Sequence, residues 1–186
     1  MYSGEELTKE LFLEKYQDAD YDLLWIITHG QFEFNNPPNS YIYVSPTETV
    51  TAWELQKFSF SRESGRRLIL NACYSGCSDV RHNSMNFIGI AQSLVSPYQE
   101  VLGHLWFVHD LASATLGVFT LDYILQGIGI EKSVQLASRN MLSDNEAIAA
   151  RIEAIQPELG ISERIRRNAH IELKQPFYSM SSILYK

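Results

Sequence analysis

Residues 68–76 read LILNACYSG, and this stretch decides the fold. Its apolar beginning predicts a buried β-strand, and Cys73 stands at the end of that strand, before residues that favour a tight turn. Residues 23–30 read LLWIITHG and repeat the pattern, with His29 at the end of an apolar run and Gly30 after it. Two buried strands that deliver a histidine and a cysteine to one sheet edge indicate a Cys/His hydrolase.

Helical segments separate the apolar runs, so the sequence predicts an α/β fold with a mostly parallel sheet. We predict strands at 23–28, 41–44, 68–72, 101–108 and 177–185. We predict helices at 4–17, 51–58, 85–95, 111–126, 131–141 and 145–155. The first two begin with capping boxes, Ser3 with Glu6 and Thr51 with Glu54. In open parallel sheets, sites lie at the carboxyl ends of the strands, where His29 and Cys73 both stand.

Composition narrows the function classes. The chain has 186 residues, of which 45% are apolar and 20% charged, as in an ordinary soluble domain. Its net charge of -7 argues against nucleic acid or an anionic membrane as the main partner. No apolar run is long enough to span a membrane, and the first residues lack the features of a signal peptide.

The cysteine count favours a reducing, cytoplasmic location. Cys73 and Cys77 are the two cysteines of the chain, too few for a disulfide framework, and their spacing does not form a zinc motif. Cys77 is predicted to be a surface-loop thiol.

Cys73 and His29 each have two interpretations. Cys73 is either a nucleophile, which requires a neighbouring base or positive field to become a thiolate, or a small buried hydrophobe. His29 is either a general base and acid, or a histidine satisfied by hydrogen bonds at the edge of the core. Gly30 favours catalysis, because glycine lets a substrate approach and its N–H could bind an oxyanion together with that of Cys73.

Five short motifs follow one another along the chain. They are THG at 28–30, TAWEL at 51–55, LNACYSG at 70–76, VLGHLWFVHD at 101–110 and QPFY at 175–178. They resemble the His-Gly, Thr-Ala-x-Glu-Leu, Ser-Ala-Cys-Glu-Thr-Gly, Leu-Trp-x-Val and Pro-Tyr-Tyr signatures of CHAT domains. These are bacterial, caspase-like clan CD cysteine peptidases, related also to separase. The resemblance covers nearly the whole chain.

The resemblance implies a fold and an activity. The fold is a three-layer α/β/α caspase-like sandwich. His29 and Cys73 form the catalytic dyad, and the backbone groups of Gly30 and Cys73 form the oxyanion hole. The activity is that of an endopeptidase that cleaves a protein partner through a thioester acyl-enzyme, in regulated proteolysis and without a metal or cofactor.

The resemblance begins at residue 4, which in the family follows the second strand of a sheet ordered 2-1-3-4-5-6. We therefore expect residues 1–186 to form one CHAT domain that is N-terminally incomplete and supplies strands 3 to 6. Strand 23–28 would then be an apolar sheet edge. We expect a regulatory protein-interaction region or a partner chain to cover that edge.

Three residues are candidates for the substrate pocket. Asn71, by resemblance, lies where the residue two before the cysteine shapes the pocket, and otherwise it is a strand-end amide bonded to the backbone. Trp106 either walls the pocket or belongs to the core. Asp110 is either an anion for a basic substrate side chain or the N-cap of the next helix.

The sequence also departs from the family. Tyr74 and Ser75 replace its usual Glu-Thr, and Asn71 replaces its Ser. His104 and His109 lie five residues apart on one predicted strand, which would put them on opposite faces and excludes a zinc site.

Other functions stay open. The departures after Cys73 and the missing strands favour an inactive caspase-like scaffold or interaction domain, whereas the intact His29-Gly30 and Ala72-Cys73 pairs argue against it. A Cys-dependent hydrolase of small amides is a third reading, which a closed cavity would favour. A flavodoxin-like phosphate binder is weaker, because no strand end carries a glycine-rich loop.

Overall fold

A computed structural model describes residues 7–18, 20–58, 65–80 and 87–186. The chain divides into two compact units. The first comprises residues 1–107 and 183–186, and the second comprises residues 108–182. The Ser3–Glu6 capping box predicted from the sequence lies outside the described residues.

The first unit contains a four-stranded sheet with helices and two small antiparallel sheets. Its helices are α1 (Lys9–Gln17), α2 (Ala52–Leu55) and α3 (Ile90–Leu94). Its strands are β1 (Leu23–Ile27), β2 (Gly30–Gln31), β3 (Tyr41–Tyr43), β4 (Thr49–Thr51), β5 (Arg66–Asn71), β6 (Asp79–Val80), β7 (Phe87–Ile88), β8 (Gln99–His104) and β9 (Ser182–Tyr185). A 3-10 turn spans Pro37–Asn39.

The main sheet has the strand order β1-β5-β8-β9. β1 runs parallel to β5, with Ile27 opposite Asn71, and β5 runs parallel to β8. The α/β class with a mostly parallel sheet is therefore confirmed. In the part of the chain that the structure describes, β1 has a sheet neighbour on one side only, as predicted for an edge strand. β2, β3 and β4 form one antiparallel sheet, and β6 and β7 form another.

Burial explains why β5 is central. Leu68, Ile69 and Leu70 are fully buried, and Leu68 and Leu70 belong to the apolar core of this unit together with residues from α1, α2 and α3. β1, by contrast, is only half-buried, and Ile27 at its end is 55% exposed. The same apolar composition thus gives a core strand in one place and an edge strand in the other.

The second unit is helical. Its helices are α4 (Asp110–Leu125), α5 (Ile130–Asn140), α6 (Asn145–Ile155), α7 (Ile161–Arg167) and α8 (Pro176–Ser179), with a 3-10 turn at Pro157–Leu159. Residues 111–120 of α4 are buried on every side, and α4 packs against α5, α6, α7 and α8. α4 is therefore the core of this unit rather than a surface helix.

Several predicted boundaries are confirmed. The Thr51–Glu54 capping box is present, and β5, α4, α5 and α6 lie within about two residues of their predicted positions. Others are wrong. α1 begins at Lys9, and Thr8 caps it by accepting a hydrogen bond from the Leu11 N–H.

Two further predictions assigned the wrong type of secondary structure. Residues 87–94 form β7 and then α3 rather than one helix, because Phe87–Ile88 pairs with β6 and Gly89, in extended conformation, is the N-cap of α3. Met85 lies outside the described residues. Residues 177–185 begin as helix α8, not as strand, because Pro176 occupies a first-turn position that suits proline.

The end of β8 also differs from the prediction. β8 ends at His104, not at residue 108. His109 is the N-cap of α4 and accepts the Leu111 N–H through Nδ1, whereas Asp110 is the first helical residue. The N-cap assigned to Asp110 is thus one residue off.

Candidate active site

The turn that holds Cys73 follows β5 directly. Within it, the Ser75 N–H donates to the Ala72 carbonyl and the Cys77 N–H donates to the Tyr74 carbonyl. Cys73 is half-buried. Tyr74 has a φ of 56°, in the left-handed region that a bulky residue adopts only at a cost of about 1 kcal/mol or more. The surrounding hydrogen bonds must therefore impose this conformation.

Ser75 connects the turn to three other elements. Its buried Oγ donates to the Leu70 carbonyl (3.1 Å) and accepts from the His104 N–H (3.0 Å). Its carbonyl accepts the Ala91 N–H of α3 (2.9 Å). The turn is thereby tied to β5, β8 and α3, which fixes where Cys73 stands.

Glycines allow the turn to lie directly on β8. The Gly76 N–H donates to the His104 carbonyl (2.8 Å), and the Tyr185 hydroxyl donates to the Gly76 carbonyl (2.6 Å). A Cβ on Gly103 would be 2.9 Å from the Gly76 nitrogen, and a Cβ on Gly76 would be 2.5 Å from Ile183 Cγ2. No side chain fits at either position unless the turn moves.

A buried histidine lies beneath the turn. His104 Nε2 is 3.2 Å from Asn71 Oδ1, and both side chains are almost fully buried. Burial lowers the pKa of His104 to about 4, because the charged imidazolium would lose its hydration. His104 is therefore neutral at pH 7.

The end of β1 meets the end of β5. The Thr28 N–H donates to the Asn71 carbonyl (3.0 Å) and continues the strand pairing. The Thr28 hydroxyl donates to the Tyr43 carbonyl (2.6 Å), and the Tyr43 N–H donates to the His29 carbonyl (3.0 Å). The backbone of His29 is thus anchored, while its side chain is exposed.

Gly30 makes the closest contact between the two strand ends. A Cβ there would lie 2.7 Å from the Cys73 carbonyl oxygen and 3.1 Å from Ala72 Cβ. Only a glycine allows this approach, which brings the backbone beside His29 against the Cys73 turn. The sequence interpretation of Gly30 concerned the approach of a substrate, which stays a prediction, whereas this contact is made with the chain's own backbone.

The N–H of Gly30 is turned away from its antiparallel neighbour. Gly30 lies opposite Ile42, and the bond from Tyr43 to His29 flanks that pair. This pattern marks a non-hydrogen-bonded pair, whose own N–H groups point away from each other. The Gly30 N–H is therefore not used by the β2–β3 ladder.

A groove of about 920 Å³ runs beside β1. It is lined by β1 itself, by α1 and by residues 43–46, and it extends to Thr28 and His29. Most of the lining is apolar. The groove is open rather than closed, which tells against a hydrolase of small amides.

The other predicted site residues are distributed as follows. Asn71 is buried beside His104, so its amide side chain bonds within the fold. Trp106 lies in the bend after β8, half-buried, and its carbonyl accepts the Tyr74 N–H (3.3 Å). Asp110 is exposed at the start of α4 in the second unit. A pocket role for the three stays a prediction.

Cys77 is not the surface thiol that the sequence indicated. It is half-buried, its Sγ donates to the Leu105 carbonyl, and burial raises the pKa of its thiol. The sequence reading also missed the contact of His104 with Asn71. The available signal was a histidine within a buried apolar run, which requires a polar partner.

Comparison with known families bears on the fold and the family of the chain. No helix in the described parts of the chain is long and apolar enough to cross a membrane. A search of curated proteins finds no match. The family model of the CHAT domain matches residues 1–178, and CHAT domains are related to caspase-like proteases. Since that match spans almost the full length and accords with the α/β sheet, the chain belongs to the CHAT domain family.

Proposed function

We propose that this chain is a cysteine endopeptidase with Cys73 as nucleophile and His29 as general base and acid. One observation carries the proposal: the Gly30 backbone lies against the Cys73 carbonyl, so β1 and β5 end side by side. The anchored Cys73 turn supports it further, because a nucleophile must be held in a fixed geometry.

The reaction follows from these two side chains. His29 takes the thiol proton of Cys73, and the thiolate attacks the carbonyl carbon of the scissile peptide bond. His29 then gives the proton to the leaving amine, and a thioester between Cys73 and the acyl half of the substrate remains. Water, deprotonated by His29, attacks the thioester and releases a carboxylic acid, and the thiol is restored.

An oxyanion forms in both steps and requires hydrogen-bond donors. The Gly30 N–H, which the β2–β3 ladder leaves unused, and the Cys73 N–H are the proposed donors. Loss of one such donor typically lowers the rate by about 10²- to 10³-fold. No metal or cofactor takes part in these steps.

The substrate is proposed to be a protein segment rather than a small amide, because the groove that reaches His29 is open. We also propose that a regulatory region or a partner chain pairs with the edge of β1 that has no neighbouring strand among the described residues. Unpaired N–H and C=O groups on an edge strand are a template for such pairing. The two free thiols suit a reducing compartment, which for this activity would be the cytoplasm.

Sequencing of new peptide termini tests the proposal. A library of denatured cellular proteins is incubated with the wild type, Cys73→Ala, His29→Ala and Cys77→Ala. We expect new termini with the wild type and Cys77→Ala, none with Cys73→Ala, and at least about 100-fold slower cleavage with His29→Ala. Absence of cleavage by the wild type, or equal cleavage by Cys73→Ala, would favour the alternative, an inactive caspase-like scaffold.

A further inference from the structure

An exposed aromatic pair stands beside the Cys73 turn. Phe34 is 69% exposed. Its ring meets the Tyr74 ring edge to face, with centroids 6.4 Å apart and planes at 77°. Tyr74 is the residue directly after Cys73.

The ring of Phe34 packs against a buried ring. Its ring meets that of Phe32 edge to face, with centroids 5.0 Å apart, and Phe32 is 97% shielded from solvent. The exposed ring is therefore anchored in the core through its neighbour. Because 69% of its surface is exposed, Phe34 also offers area for contact with a further apolar group.

Tyr74 is held at a conformational cost. Among the described residues other than glycine, it alone has a positive φ, and its N–H donates to the Trp106 carbonyl. Glycine would adopt this φ without strain. The chain instead places a large aromatic side chain there, and this strained residue touches the exposed ring of Phe34. Strain retained at one residue of a candidate site points to a function for its side chain.

The end of β8 adds apolar surface at the same edge of the sheet. Leu105 and Phe107, one and three residues beyond the end of β8, are 36% and 58% exposed. β5 and β8 are parallel, so their carboxyl ends lie at one edge. The surroundings of Cys73 are thus rich in exposed apolar side chains.

We propose that Phe34 and Tyr74 form a subsite that binds an aromatic or large aliphatic side chain of the substrate, near the bond that Cys73 attacks. This inference rests on the proposed function and names its substrate class. An apolar side chain would cover the exposed surface of Phe34, whereas a carboxylate would lose hydration there and find no counter-charge in the aromatic pair.

Two covalent probes test the subsite. They are peptidyl chloromethyl ketones that differ in one side chain, phenylalanine or aspartate, and each alkylates a thiolate with loss of chloride. The rate of labelling at Cys73 is followed by mass spectrometry and divided by the rate with iodoacetamide for the same variant. This division removes any change in the reactivity of the thiol itself.

The variants separate binding from folding. Phe34→Ala removes the exposed ring, and Tyr74→Gly removes the second ring while relieving the backbone strain, so the latter is expected to fold at least as well as the wild type. Tyr98→Ala is the matched control, because Tyr98 is 43% exposed and directly precedes β8, at the opposite edge of the sheet.

We expect the wild type to prefer the phenylalanine probe by about tenfold, and both ring deletions to reduce that preference to about twofold or less. Tyr98→Ala should keep the preference. The subsite is overturned, and the proposed function stands, if iodoacetamide labelling depends on His29 but the wild type shows no preference or both deletions retain it. If iodoacetamide labelling does not depend on His29, the proposed function fails and the subsite with it.

Discussion

At the end of β5, the Cys73 turn is held by buried hydrogen bonds to β5, β8 and α3, whereas at the end of β1 the His29 side chain is exposed on an edge strand. Both ends arise from apolar runs of similar length. They differ because β5 has a strand on each side, and β1 has one neighbour among the described residues.

This difference indicates a division of labour within the proposed dyad. The nucleophile side is built by the chain's own core and needs no further element to be rigid. The base side depends on β1, whose outer edge has no strand beside it in the described parts of the chain. We therefore expect regulation to act on β1 and His29, and mutations to act most strongly on stability near β5.

The largest difference in the free energy of unfolding is expected between substitutions in β5 and in β1. Leu70→Ala removes a fully buried side chain of β5 and should lower the free energy of unfolding by about 3 to 4 kcal/mol. Ile27→Ala, at the exposed end of β1, should cost less than about 1 kcal/mol. Urea denaturation measures both. Equal losses would show that β1 is not a weakly held edge.

The second-largest expected effect is a loss of folding stability at acidic pH, caused by His104 on the nucleophile side. The pKa of His104 is lowered to about 4 in the folded state, below the ordinary histidine value of 6.5, so the unfolded state binds the proton more tightly. Stability should therefore fall as the pH drops from 6.5 to about 4, by roughly 3 kcal/mol from this residue.

Urea denaturation as a function of pH checks this contribution. His104→Gln keeps an amide near Asn71 but does not titrate, so it should flatten the stability profile between pH 6.5 and 4. His170→Gln is the control for the same substitution at an exposed position. An unchanged slope in His104→Gln would mean that this histidine is not held neutral by burial.

A smaller effect is expected where the turn lies on β8. In Gly103→Ala, the new Cβ would lie 2.9 Å from the Gly76 nitrogen and 3.0 Å from its Cα, both backbone atoms. We expect a loss of about 2 kcal/mol in the free energy of unfolding. Gly129→Ala meets nothing within 4 Å and serves as the matched control. A Gly103→Ala protein as stable as the control would contradict the close contact.

Much of the nucleophile side could be predicted from the sequence. The apolar run in residues 68–71 predicts the strand, because a fully buried strand requires apolar residues on both faces. The small and polar residues at its end predict where the strand stops. The capping box at Thr51 is equally local, since donor and acceptor are three residues apart.

Features that depend on distant residues could not be predicted. The contact of His104 with Asn71 joins two strands 33 residues apart, and the resemblance alone suggested a pocket role for Asn71. The left-handed backbone conformation of Tyr74 could not be predicted either, because a positive φ is expected of glycine. Short apolar runs such as residues 177–185 suit helix or strand, and Pro176 decided in favour of a first helical turn.

Alkylation of Cys73 by iodoacetamide, mapped by mass spectrometry at pH 6 to 9, tests the central claim most directly. Cys77 is an internal reference, since burial raises the pKa of its thiol, and His170→Ala is the matched control for His29→Ala. We predict that Cys73 reacts at least about tenfold faster than Cys77 at pH 6.5, and that His29→Ala lowers the rate at Cys73 whereas His170→Ala does not. If Cys73 reacts at the same rate with and without His29, the two strand ends do not form a dyad and the account is wrong.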